Sequence, residues 1–222
     1  MIPSGDIIPK AEVIIYTDGA CNPNPGAGGW AAILTHKKDG QTHTRELMGS
    51  DKQTTNNRME IMAVIEGLKA IKRPCSVLIY SDSKYVVNSI GSWNDGRPVP
   101  EKQGWVIGWQ EKGWRSANGP SSNVDLWEAI LTEVKRHKSV IMSWVAGHGD
   151  NEFNNKCDAL AVAARKAVLN DYLPVCGLPS ERITDNPDET RTPINGKLQS
   201  IKPPRPRNRK RRKSKSYSRR KK

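Results

Sequence analysis

Four carboxylates, Asp18, Glu60, Asp82 and Asp158, lie far apart in the chain, yet each stands close to the start or end of a regular element. Asp18 closes the apolar run EVIIYTD (Glu12–Asp18), and Asp82 follows SVLIYS (76–81). If these runs are neighbouring parallel strands, both acids project from the C-terminal edge of one sheet, where ligands of open α/β sheets gather. Glu60 falls in the first turns of a helix beginning near Thr55, and Asp158 in the first turns of the last helix. Four carboxylates in a partly dry site repel one another and raise one another's pKa values. Divalent cations remove that cost, and hard oxygen ligands suit Mg²⁺. Two such ions roughly 4 Å apart can flank a phosphodiester, one activating water and the other stabilising the leaving oxygen. Taken singly, each acid has an ordinary use. Asp18-Gly19 reads as a turn, Asp82 as a helix cap before Ser83, and Glu60 and Asp158 as first-turn acids favoured by the helix dipole.

The elements that must bring these acids together can be read from periodicity. After the first strand, GGWAAILT (28–35) and QTHTRELMG (41–49) flank Lys38-Asp39-Gly40 and predict an antiparallel hairpin. From Thr55 the apolar period becomes helical, with Ile61, Val64, Ile65, Leu68 and Ile71, until Pro74 ends it. SVLIYS predicts a buried strand, and Asp82 opens a short helix. VDLWEAILTEVKRH (124–137) is an amphipathic helix with Asn123 as its N-cap, SVIMSWV (139–145) a fifth strand, and 155–169 an Ala-rich final helix. Strands that alternate with helices after an opening hairpin predict an α/β fold, a five-stranded mixed sheet with helices on both faces.

Charge divides the chain sharply. Residues 202–222 hold 13 of the 36 lysines and arginines and no acid, so the rest carries 23 basic against 23 acidic residues. We expect a short N-terminal extension (1–10), a catalytic domain (11–172), a flexible Pro- and Asn-rich linker (173–201) and a disordered basic low-complexity tail (202–222). Such a tail on a neutral domain points to a polyanion, most simply nucleic acid; a solubilising or targeting tail is the rival reading. The scattered Cys21, Cys75, Cys157 and Cys176 lack zinc or disulfide spacing, and no apolar run approaches the roughly 18–20 residues of a membrane span. The segment MIPSGDIIPK lacks signal-peptide architecture. A soluble, cytoplasmic monomer is the expectation.

The stretches YTDGACNPNPGAGGWAAIL, TTNNRMEIMAVIEGL, YSDSKYVVNSI, GWRSANGPSSNVDLWEAI and VAGHGDNEFNNKCDALA, in that order, resemble the bacterial-type (type 1) ribonucleases H over roughly residues 11–170. The resemblance implies the ribonuclease H-like fold and a metal-dependent endonuclease. Such an enzyme hydrolyses the RNA strand of RNA–DNA hybrids and leaves 3′-hydroxyl and 5′-phosphate ends. Asp18, Glu60, Asp82 and Asp158 fall on the family's metal-binding acids, which hold two Mg²⁺, with Mn²⁺ as a substitute. His148 falls on the catalytic histidine of a mobile loop, thought to assist proton transfer or product departure. The two glycines beside it are consistent with that mobility.

By the same resemblance Cys21, Asn24, Asn56 and Asn57 contact the hybrid and Thr55 a DNA-strand phosphate. Small polar groups suit the 2′-hydroxyl reached through a wide minor groove. Turn formation by Asn-Pro and Pro-Gly, and helix capping by Thr55, are compatible alternatives. Lys84 departs from the family, whose better-known bacterial members carry a glutamine that reads a base edge; a lysine favours phosphate or a base acceptor. Trp105, Trp109 and Trp114 match the family's substrate-gripping protrusion. That protrusion is usually strongly basic, whereas here Lys112 and Arg115 are opposed by Glu111. Two of these tryptophans read as packing and one, Trp105, as lining a DNA-strand channel. The weak protrusion suggests that Arg209, Lys210, Arg211, Arg212 and Lys213 of the tail make phosphate contacts, with nuclear import as a rival for RKRRKSK. A non-catalytic hybrid-binding protein and a DNA-resolving or strand-transferring enzyme are rival readings. The complete acid set argues against the first, and TTNNRME with the His148 loop against the second.

Overall fold

A computed structural model describes residues 11–116 and 119–169. The expectations for the N-terminal extension, the linker and the basic tail lie outside the described residues. The chain opens with β1 (Val13–Cys21), β2 (Gly26–Lys38) and β3 (Gln41–Thr54), followed by α1 (Asn56–Lys69) and β4 (Ser76–Ser81). Next come α2 (Lys84–Ile90), β5 (Gly91–Asn94), β6 (Arg97–Gln103), α3 (Trp105–Glu111), β7 (Arg115–Ser116) and β8 (Gly119–Pro120). The helix α4 (Val124–Lys135), β9 (Ser139–Trp144) and α5 (Glu152–Leu169) close the described chain.

The main sheet runs β3-β2-β1-β4-β9-β5-β6. The expected hairpin is present: Lys38 pairs with Gln41, and both loop residues have positive φ, 53° at Asp39 and 77° at Gly40. Positive φ at both positions is the two-residue geometry that matches strand twist. β1, β4 and β9 are mutually parallel, so their C-terminal ends share one edge. The sheet has seven strands rather than five. β5 and β6 escape sequence reading because RPVPEKQ carries two prolines and no alternation. Proline is tolerated there because β6 is an edge strand, with no outer neighbour among the described residues to receive a hydrogen bond.

Alternation along β2 assigns the two faces. Trp30, Ala32 and Leu34 join the larger core beneath α1, α2 and α4, whereas Ala31 and Ile33 pack on Cys157 and Ala161 of α5. β2 is therefore buried continuously from Gly26 to Thr35, as a strand covered on both sides must be. Several expected boundaries shift for local reasons. β1 continues past Asp18 to Cys21 because β2 keeps pairing with it, down to Cys21 opposite Gly28. Ser83, rather than Asp82, caps α2, its hydroxyl accepting from the Val86 N–H. α5 begins at Glu152, where Asn151 accepts from the Asn154 N–H through its side chain and from the Asn155 N–H through its carbonyl. Asn123 occupies the cap position of α4 but makes no side-chain capping bond. Its backbone is left-handed (φ 60°, ψ 33°), a conformation asparagine tolerates better than most residues. α1 ends at Lys69, ahead of Pro74, and Arg136 donates to the carbonyls of Leu68 and Ile71 at that end.

Candidate active site

Parallel pairing places Thr17 opposite Ser81, so Asp18 and Asp82 each stand one residue beyond the last pair of β1 and β4. Glu60 arrives from α1, and Gly19 sets how closely it can approach. A Cβ on Gly19 would run into the backbone of Glu60 and lie 2.6 Å from the carbonyl carbon of Met59. Only glycine lets the helix rest directly on the strand beside Asp18. One oxygen from each of Asp18, Glu60 and Asp82 lies within 4.8 Å of the others. Asp158 reaches the group from α5, which closes onto β2 at Gly29, where a Cβ would collide with Ala161 and Arg165. The charge of Asp158 is felt at Asp18. The structure thus brings together all four acids expected from the sequence.

Burial falls steadily across the group. Glu60 is 5% and Asp18 6% exposed, the Asp158 side chain is 39% exposed, and His148 is 83% exposed. Burial drives the Asp18 carboxyl up to about 7, with the neighbouring Asp82 charge adding to the shift; the Gly19 N–H, 2.8 Å from its Oδ1, opposes it. Burial also lifts Glu60 well above the usual carboxylate range, reinforced by Asp18 and Asp82. Glu60 Oε2 is buried without a hydrogen-bond partner among the described residues. A deep, all-oxygen set with an orphaned carboxylate oxygen and mutually raised pKa values fits a hard divalent cation, which would satisfy the oxygen and remove the repulsion.

His148 Nδ1 lies 3.8 Å from Asp158 Oδ2, on the solvent side of the group. The backbone of its loop turns at the histidine. The positive φ belongs to His148 itself (52°), and Gly147 and Gly149 are not in that region. Gly147 serves close approach, since a Cβ there would lie 2.5 Å from Asp82 Oδ2. Asn155 donates to the Gly149 carbonyl at 2.8 Å and ties the loop to α5.

Among the expected hybrid-contacting residues, Cys21, Asn24 and Asn56 are joined by hydrogen bonds. Asn56 Oδ1 accepts from the Cys21 N–H at 3.1 Å, and Asn24 Oδ1 accepts from the Asn56 N–H at 3.2 Å. The Cys21 thiol points to the carbonyls of Pro23, Gly26 and Thr54. Thr55 caps α1, its hydroxyl accepting from the Arg58 N–H, and Asn57 is exposed beside it. Trp105 is 49% exposed, whereas Trp109 and Trp114 are half-buried against the core, Trp109 packing on Trp105 and on the buried Trp127. Lys84 sets its ammonium 4.9 Å from the centre of the Trp144 ring. Sequence reading missed Trp144, which the strand pattern gave no reason to separate from the core, and the contact roles of Gly19 and Gly147. Arg209–Lys213 lie outside the described residues.

A mixed sheet with an acidic cluster at the C-terminal edge of its parallel strands, helices on both faces and a histidine loop above it defines the ribonuclease H-like fold. The sequence model of the family RNase H matches residues 10–166. Ribonuclease H of Thermoanaerobacter sp. (strain X514) is 49% identical over 152 residues, 67% of this chain and 86% of that protein. Ribonuclease H of Chlorobium phaeobacteroides (strain BS1) is 47% identical over 158 residues, 71% of this chain and 97% of that one. Among solved structures, LC9-RNase H1, a type 1 RNase H with the type 2 active-site motif, aligns with a TM-score of 0.60 at 28% identity, covering 73% of this chain and 75% of that chain. The chain belongs to the ribonuclease H family and is a nuclease of the hydrolase class. Family and fold together support cleavage of the RNA strand in RNA–DNA hybrids. Among the described residues no helix is long and apolar enough to cross a membrane.

Proposed function

We propose that Asp18, Glu60, Asp82 and Asp158 form the catalytic centre for this cleavage, acting with two Mg²⁺ (or Mn²⁺) and leaving 3′-hydroxyl and 5′-phosphate ends. One observation carries the reading: three acids offer oxygens within 4.8 Å of one another, and the two deepest are driven toward protonation when no cation offsets them. Bound by the four acids, the ions would neutralise charge at the scissile phosphate and make an attacking water more acidic. The protein's own groups do the remaining work. Glu60 and Asp18 hold the dry end of the site, and α1 resting on Gly19 fixes their separation. Asp158 faces solvent beside His148, whose imidazole can take up or release a proton as the product strand leaves. Asn24, Asn56, Asn57, Cys21 and Thr55 form a polar shelf of the kind that reads 2′-hydroxyls and phosphates, and Trp105 offers an apolar face to the DNA strand.

All four acids come from one chain, so a monomer suffices for this site. Cys21, Cys75 and Cys157 are free thiols, which supports a reducing, cytoplasmic setting. In the same reading residues 11–172 are the catalytic domain, 173–201 a linker and 202–222 a tail whose Arg209–Lys213 bind phosphate.

The test is Asp18→Asn, assayed with Mg²⁺ on RNA–DNA hybrid, duplex DNA and duplex RNA side by side. Wild type should cut only the hybrid and the variant should not cut, while still binding hybrid. Substantial Mg²⁺-dependent cleavage by the purified variant would overturn the assignment. For the tail, protein ending near Leu173 should show a shallower fall of log affinity with log salt, by about 0.9 for each lost phosphate contact. Equal slopes would remove the tail from the grip.

A further inference from the structure

β9 ends at Trp144, which pairs with Ser81 at the same sheet edge as the acids. Its neighbours Val140 and Met142 are buried in the core, yet the Trp144 ring is 47% exposed. The ring is held in one orientation, because its Nε1–H donates to the main-chain carbonyl of Asp82 at 3.0 Å. Asp82 is thereby gripped from two sides: Trp144 holds its backbone, and Gly147 abuts its carboxylate. Two residues further on, Lys84 opens α2 and lays its ammonium 4.9 Å from the Trp144 ring centre. Among the described residues Lys84 makes no ion pair with any carboxylate, although the acidic cluster is close by. The aromatic face therefore fixes a cation at the rim of the acid site and leaves its charge free for a ligand.

We propose that Trp144 and Lys84 form a platform on which Lys84 binds a backbone phosphate of the RNA strand next to the scissile one, with Trp144 as the positioning residue. The proposal rests on the cleavage reading above and adds a phosphate subsite to it. A lysine suits the task, being a compact charge with three rotatable donors that tolerates any base. The same indole steadies Asp82, so substrate grip and acid placement share one brace. With Glu111 opposing Lys112 and Arg115 on the protrusion, a cation at the acid rim takes on a correspondingly larger share of the phosphate contacts.

The experiment measures hybrid binding by the full chain, metal-free so that no cleavage intervenes, across a salt series, together with Mg²⁺ kinetics. Lys84→Gln should reduce the slope of log affinity against log salt by about 0.9, one duplex phosphate, with the kinetic loss falling on KM rather than kcat. Lys84→Arg, which keeps the charge and stacks on an aromatic face, should restore the slope. Trp144→Leu should reduce the slope as Lys84→Gln does, and the double variant should lose no more than either single one. Trp144→Met serves in its place if the leucine variant does not fold. A full slope in Lys84→Gln, or losses that add in the double variant, would overturn the platform. A wild-type chain that cuts no hybrid would sink the parent reading instead, so the two failures are distinguishable.

Discussion

The acid edge of the sheet and the segment from Gly91 to Asn123 are built on opposite plans. At the acid edge, parallel strands run in register and two glycines, Gly19 and Gly29, let helices rest directly on strands. Between Gly91 and Asn123 the elements are short, and Asp95, Trp114 and Asn123 all take positive φ. Two tryptophans hold that segment: Trp93 within it and Trp127 of the adjoining α4 are fully buried and donate to the carbonyls of Ile90 and Ser122. The contrast has a physical reason. A cluster of like charges must be over-determined by packing, since the acids would otherwise move apart, whereas short elements anchored by a few buried indoles face no such repulsion.

The comparison can be broken most severely at Gly19. Gly19→Ala should push α1 off β1, destabilise the fold by about 3 kcal/mol and lower the cleavage rate by about 100-fold or more. Chemical denaturation and single-turnover kinetics would read both effects; a variant of wild-type stability and rate would show that the edge is not rigid.

A smaller effect should appear at Asp18 without metal. Its folded pKa, about 7, lies above the ordinary value of 3.8. The folded state therefore binds the extra proton, and this contribution to stability is full below about pH 4 and lost as pH rises through about 7. Metal-free wild type should weaken across that window, and Asp18→Asn should be the more stable protein at pH 8 by on the order of 1–3 kcal/mol. Added Mg²⁺ should stabilise wild type and help the variant much less. Melting curves at pH 4.5 and 8, with and without Mg²⁺, give the check, and a flat pH response would refute the buried-charge account.

The mildest effect is expected between Gly91 and Asn123. Gly108 lies inside α3, and a Cβ there would meet nothing within 4 Å. Gly108→Ala should stabilise the protein by about 0.5–1 kcal/mol through helix propensity alone. The same glycine-to-alanine change would then have opposite signs in the two regions. A destabilised Gly108→Ala protein would remove the contrast.

Chemistry and local periodicity were legible in the chain itself. The four acids stand where apolar runs stop and helices begin, Asp39-Gly40 encodes a turn through positive φ, and Ile61 to Ile71 repeat at helical spacing. These signals are local, so one strand or helix suffices to express them. The pairing of β5 with β9, the left-handed backbone of Asn123 and His148, and the placing of Lys84 over Trp144 were decided only in three dimensions. Each depends on a partner that the segment's own sequence does not name: a free sheet edge, a fixed loop span, an indole ring more than fifty positions away. An edge strand with two prolines carries no inward pattern to read, and an exposed tryptophan looks in sequence like any other core residue. Which acids could act was written in residue types; how deeply each sits, and hence which of them favours its proton, was set by the packing of α1 and α5 against the sheet.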